Sequence, residues 1–199
     1  MRPVAARNLA LGVASVLSGA AALVYQVLWA RLLGLGLGNT VEGAATVLAV
    51  FMAGLGLGSG LASRALRSRG VARWSYASLE AAIALTALAV PPLVAALSAR
   101  LGATYDAQAA TTLALARAAI AGVALIAPST LMGATLPVLG ALTGVSGERE
   151  AGVAGWLYAA NTVGALLGCL STPFVLLPEF GVSRSLLIAA ASTSLPRRS

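Results

Sequence analysis

The chain has 199 residues, 59% of them apolar and only 10% charged, with a mean hydropathy of +0.91. These values exclude an ordinary water-soluble globular domain and fall in the polytopic membrane range. Its +7 net charge rests on arginine alone, placed mainly at the ends of apolar runs, so the arginines read as topology signals and no nucleic-acid partner is expected.

The first run, Leu9 to Leu37, exceeds the roughly 20 apolar residues that a helix needs to cross a ~30 Å hydrocarbon layer. Arg2, Arg7 and the small residues Ser18-Gly19-Ala20 outline a secretory signal, but apolar character continues to Leu37, which favours an uncleaved first span. A second run, Val41 to Ala62, follows the polar turn Gly38-Asn39-Thr40. Backbone groups cannot stay unpaired in lipid, so both runs are expected to be helical and, across so short a turn, antiparallel.

Further spans are expected at 74–97, 111–136 and 155–177, separated by loops that hold Arg100 and Asp106 and then Glu148-Arg149-Glu150. A last apolar piece, 185–195, is too short to span and is expected to be a partial sixth helix. The expected fold is therefore one all-α polytopic transmembrane domain over residues 1–199, with the lipid bilayer as its first partner. Arg2 and Arg7 share a side with the loop that carries Arg64, Arg67, Arg69 and Arg73. By the positive-inside rule that side, and the N-terminus with it, is cytoplasmic. Trp74 with Tyr76 and Trp156 with Tyr158 open two spans at headgroup level, and Pro128 and Pro137 are expected to bend the fourth.

Small and polar residues recur at helical spacing. Ser15, Ser18, Gly19, Ala22 and Gln26 line one face of the first span, and Asn161, Gly164, Ala165, Gly168 and Thr172 one face of the fifth. Gly54, Gly56, Gly58 and Gly60 form two overlapping small-xxx-small pairs in the second. We expect Gly54, Gly58, Gly164 and Gly168 to be helix-packing positions, and Gln26 and Asn161 to be polar candidates in the membrane. Three charges fall within spans. Arg31 either snorkels to the outer headgroups or serves inside; Arg117 either pairs or lines a cavity. Glu80 either pairs with an arginine of the 64–73 loop or couples to a proton or cation.

Catalytic chemistry is not expected. The chain has no histidine to activate a serine, no two carboxylates on one predicted helix face, and one cysteine, Cys169, inside an apolar run. Neither a histidine- or cysteine-based metal site nor a cofactor is expected, and no disulfide framework. The Gly54-Leu55-Gly56-Leu57-Gly58 run lacks the Lys-Ser/Thr of a phosphate loop.

Several ordered segments carry a family resemblance. Ser18 to Gly34, with Tyr25, Gln26, Trp29 and Arg31, then Gly38-Asn39-Thr40, Phe51 to Gly60, Pro128 to Pro137, and Leu157 through Asn161 and Gly164 to Pro178 resemble the membrane-embedded N-terminal part of fused major-facilitator/spermidine-synthase-like bacterial proteins. Gly60 to Arg69 is similar to the loop after the second helix of major facilitators, with Ser63 where that motif usually has an acidic residue. The resemblance implies a bundle like one half of a major facilitator, in the bacterial inner membrane, followed by a soluble aminopropyltransferase domain of the polyamine-biosynthetic spermidine synthase type. That domain is expected to be absent here, leaving a truncated chain without catalysis of its own. Two other readings stay open: a half-transporter acting as a dimer, and an anchoring or assembly module.

Overall fold

The computed structural model describes residues 2–37, 41–71, 75–102 and 110–193. The turn at Gly38-Asn39-Thr40, Arg73, Trp74, Asp106, Arg197 and Arg198 lie outside them. Among the described residues the structure is helical, with no strand. Seven α-helices run as α1 Arg2–Leu37, α2 Val41–Arg69, α3 Ser75–Gly102, α4 Ala110–Gly133, α5 Thr135–Leu142, α6 Glu150–Ser171 and α7 Leu177–Thr193. Five helical stretches are long and apolar enough to cross a membrane: Arg7–Leu35, Val41–Arg69, Ser75–Arg100, Leu115–Leu142 and Gly147–Thr193.

The boundaries depart from the sequence reading in instructive ways. Arginines 64, 67 and 69 lie on α2 itself, not in a loop, because Ala, Leu and Arg are good helix formers and no Gly or Pro interrupts them. Gly70 ends the helix: its φ of 70° is left-handed, and its N–H bonds the Leu66 carbonyl at 2.9 Å. The fourth stretch breaks at Ala134, between α4 and α5. Pro137 explains the position, since its ring crowds the carbonyl four residues back, at Gly133, and has no N–H to bond it. Pro128 sits buried within α4 without a break.

After α6, five residues from Thr172 to Leu176 form a π-helical turn at Pro173. The chain then turns at Gly181, whose φ of 67° and ψ of −178° are non-helical, and residues 182–193 fold back. Ser185 Oγ bonds the Leu176 carbonyl at 3.0 Å across that turn, and Ser185, Leu186 and Ala189 are buried.

Contacts between helices fix their relative directions. Along α1, Gly12 meets the Trp156 ring, Gly19 the Asn161 carbonyl, Val16 packs on Gly164, and Ala20 on Gly168, so α1 and α6 rise together. Gly54 on Ser129, Leu55 on Gly133 and Gly58 on Thr130 make α2 and α4 parallel too. Tyr76 reaches Ala14 and Glu80 reaches Ser18, which aligns α3 with α1. Odd and even spans thus alternate in direction, as a series of hairpins requires.

The core holds Tyr25, Leu28, Trp29 and Leu33 of α1 with Phe51, Val90, Leu125 and their neighbours. Buried polar side chains accompany it, including Ser15, Ser18, Glu80, Ser129 and Thr172, whereas Leu57, Leu85, Leu115, Leu166 and Phe174 face outward. Large apolar side chains so cover much of the exterior, unlike the surface of a soluble monomer.

Candidate functional site

Two polar features stand out. One is a carboxyl group in the core. Glu80 is 4% exposed, one turn and a half into α3. Ser18 Oγ of α1 donates to Glu80 Oε1 at 3.0 Å. The Tyr76 hydroxyl, one turn earlier on α3, and the Thr193 hydroxyl, at the end of α7, face the same carboxyl group. Three helices therefore meet at Glu80, and its partners are hydroxyls; among the described residues no arginine pairs with it.

Two of these hydroxyls also have a backbone acceptor within reach: the Ala14 carbonyl lies 3.3 Å from the Tyr76 oxygen and the Ala190 carbonyl 3.2 Å from the Thr193 oxygen.

The other feature is an open crevice of about 700 Å³ between α2, α5 and the start of α6. Ser59, Ser63 and Arg67 come from α2, Pro137 from α5, and Glu150 and Tyr158 from α6. Leu157 stands in its inner wall, and the Leu157 carbonyl accepts Ser15 Oγ at 2.7 Å, one helical turn from Ser18. Arg7 closes the edge by donating to the Thr143 carbonyl at 2.7 Å, at the end of α5, where helix carbonyls lack backbone partners.

The remaining candidates scatter. Arg31 is exposed, on the C-terminal half of α1. Arg117 is half-buried, with a buried Nε that has no hydrogen-bond partner among the described residues; Gln26 has an unpartnered buried Oε1. Asn161 lies half-buried against Gly19 in the seam between α1 and α6. Gly54, Gly58, Gly164 and Gly168 all sit where an added Cβ would collide with the facing helix, whereas Gly56 and Gly60 face open space. Of the five polar candidates, only Glu80 sits in a cluster of polar side chains.

Sequence reasoning missed Tyr76 and Thr193 as neighbours of Glu80. Tyr76 was findable, being four residues before Glu80 on one helix face. Thr193 was not, because it arrives through the turn at Gly181. Tyr25 and Trp29 stack inside the core, ring centroids 5.4 Å apart and planes 12° from parallel.

Fold and site together define an all-helical bundle of long apolar helices around a buried, hydroxyl-lined carboxyl group. By sequence, the chain is similar to Polyamine aminopropyltransferase 2 of Streptomyces coelicolor, with 36% identity over 184 residues. The alignment takes in 91% of this chain but 31% of that protein, so the chain spans about a third of its relative's length. This is a distant, spermidine-synthase-like relationship. No family model and no solved structure matches the chain.

Proposed function

We propose that this chain is the membrane-embedded region of a spermidine-synthase-like protein, with no catalysis of its own. The observation that carries this reading is the 36% identity to a polyamine aminopropyltransferase across 91% of the chain. Five long apolar stretches and an exterior rich in leucine support insertion in a bilayer. The arginines of α2 and the N-terminal Arg2 and Arg7 favour an orientation with that end in the cytoplasm of a bacterial inner membrane.

Aminopropyl transfer moves a three-carbon amine from a sulfonium donor to an amine acceptor. It calls for a glycine-rich nucleotide fold and carboxylates that hold cations and accept a proton. The described residues form no strand on which such a fold is built. Catalysis by a relative of this kind then belongs to a soluble domain outside residues 1–199.

Tagging the N-terminus at the native locus and probing the membrane fraction tests the reading. A membrane-bound product far larger than 19.7 kDa, with aminopropyltransferase activity, is the expected result. A product of 19.7 kDa in membranes without that activity would overturn it.

The crevice and the buried Glu80 favour a second reading, a half-transporter that pairs with another copy around a central path. A polyamine is a poor cargo for it, since Arg31 and Arg117 would repel a polycation. Solute uptake into vesicles that is lost in Glu80→Gln would support this reading, and unchanged uptake would exclude it.

A further inference from the structure

Two facing stripes of side chains line the crevice between α2, α5 and α6. Ser59, Ser63 and Arg67 follow one another at four-residue spacing on α2, and Glu150, Ala154 and Tyr158 do the same on α6. That spacing sets each trio on one helix face, over a rise of about 12 Å. The helices run in opposite directions. α1 rises with α6, Arg7 at the start of α1 meets Thr143 at the end of α5, and α2 is parallel to α4. Arg67 and Glu150 therefore share one end of the crevice with Thr143, and Ser59 and Tyr158 share the other. Leu66, Leu136, Val153 and Leu157 supply the apolar wall between them.

Among the described residues, the side chains of Ser59, Ser63, Arg67, Glu150 and Tyr158 make no hydrogen bond, and neither charge has an ion-pair partner. Other helical hydroxyls bond a carbonyl of their own helix, as Ser68, Thr86 and Thr162 do. The crevice thus presents a cation, an anion and three hydroxyls beside an apolar wall, all of them able to take a ligand.

A phospholipid with an amine in its headgroup has the complementary parts. Its phosphate suits Arg67, its ammonium group Glu150, its ester carbonyls the hydroxyls deeper in, and its acyl carbons the leucines. The depth agrees. A headgroup layer is roughly 5–8 Å deep on each side of a bilayer, so a crevice of about 12 Å that starts at the helix ends passes through it to the acyl boundary. On the same two helices Leu57, Leu61 and Trp156 are exposed, as side chains at a lipid boundary are.

We propose that this crevice binds the headgroup of an amine-bearing phospholipid, with Arg67 on the phosphate and Glu150 on the ammonium group. The site rests on insertion of the chain in a bilayer and adds to that reading a preference for one lipid class. A headgroup without an amine, such as that of phosphatidylglycerol, leaves Glu150 facing a phosphate.

Native mass spectrometry of the full chain in detergent tests it, with a phosphatidylethanolamine and a phosphatidylglycerol of identical acyl chains as probes. Phosphatidylethanolamine should stay bound at about a tenth of the concentration that phosphatidylglycerol needs. Arg67→Gln should weaken both lipids, whereas Glu150→Gln should keep binding and lose the preference. Arg184→Gln, near the Gly181 turn at the opposite end of the bundle, should change neither. Equal retention of the two lipids by the wild-type chain would overturn the proposal. So would free phosphoethanolamine that competes as well as the lipid does, which would assign the site to a soluble phosphate ester. A dimer that forms at the crevice and excludes lipid would overturn it in favour of a second copy. Failure of the chain to float with liposomes would overturn the membrane reading itself, whereas a chain that floats without lipid preference would remove the lipid site alone.

Discussion

The seam between α1 and α6 and the seam between α2 and α4 use the same device and differ in what lies at their ends. In both, glycines four residues apart let one helix backbone touch the next: Gly164 and Gly168 in the first, Gly54 and Gly58 in the second. At Gly164 the three nearest atoms all belong to the Val16 backbone, and at Gly168 to the Ala20 backbone. At Gly58 the nearest atoms belong to the backbone of Thr130 and Ala134, at Gly133 to the Leu55 backbone, and at Gly54 to Ser129, whose Cβ is fixed by its own helix. The first seam is also pinned by Ser15 and runs along an unbroken helix. The second ends where α4 breaks at Ala134 and the crevice opens. Both pairs are close-packed, and the second runs out at a helix break.

The largest effect is expected at Gly164. Replacement by alanine should destabilise the fold by about 3 kcal/mol, because a helix backbone cannot move aside locally. Unfolding in mixed detergent, followed by tryptophan fluorescence, measures it. Gly54→Ala should cost about as much, about 3 kcal/mol, because Ser129 Cβ cannot move without its helix. A much smaller loss at Gly54 would mean that the second seam yields where the first does not. Ser15→Ala leaves the Leu157 carbonyl without its buried donor and should cost about 1 kcal/mol in the same assay. The smallest effect is expected at Gly56, which faces open space: alanine there should be neutral or stabilising by up to about 1 kcal/mol, through helix propensity alone.

Pro137→Ala sharpens the comparison differently. Restoring an N–H to bond the Gly133 carbonyl should mend the break at Ala134 and make α4 and α5 one straight helix. A cysteine at Ser63, in a Cys169→Ser background, should then change its alkylation rate, because Ser63 and Pro137 share the crevice wall. An unchanged rate would mean that the proline does not shape the crevice.

The same glycines bear on how the chain meets other proteins. Gly54, Gly58, Gly164 and Gly168 are all spent on contacts within the chain. An assembly surface built from those four positions would have to compete with its own fold.

Much of the fold was legible because the apolar runs are long and the breaks between them short. Run length against bilayer thickness gave the five long stretches, and the short loops between them gave their alternation. Small side chains at three- and four-residue spacing marked candidates for close approach. Which pair of glycines in α2 would be used was not: Gly54 and Gly58 differ from Gly56 and Gly60 only in the face that α4 covers.

The buried acid divides in the same way. That Glu80 lies within an apolar run is plain from the residues, and so is its need for a partner. The partner's identity depends on a contact with Ser18 sixty-two positions away and on Thr193, brought back by the left-handed turn at Gly181. Local composition determines which segments leave water and how the backbone satisfies itself. The tertiary structure alone decided which hydroxyls face Glu80, because they come from three helices that packing brings together.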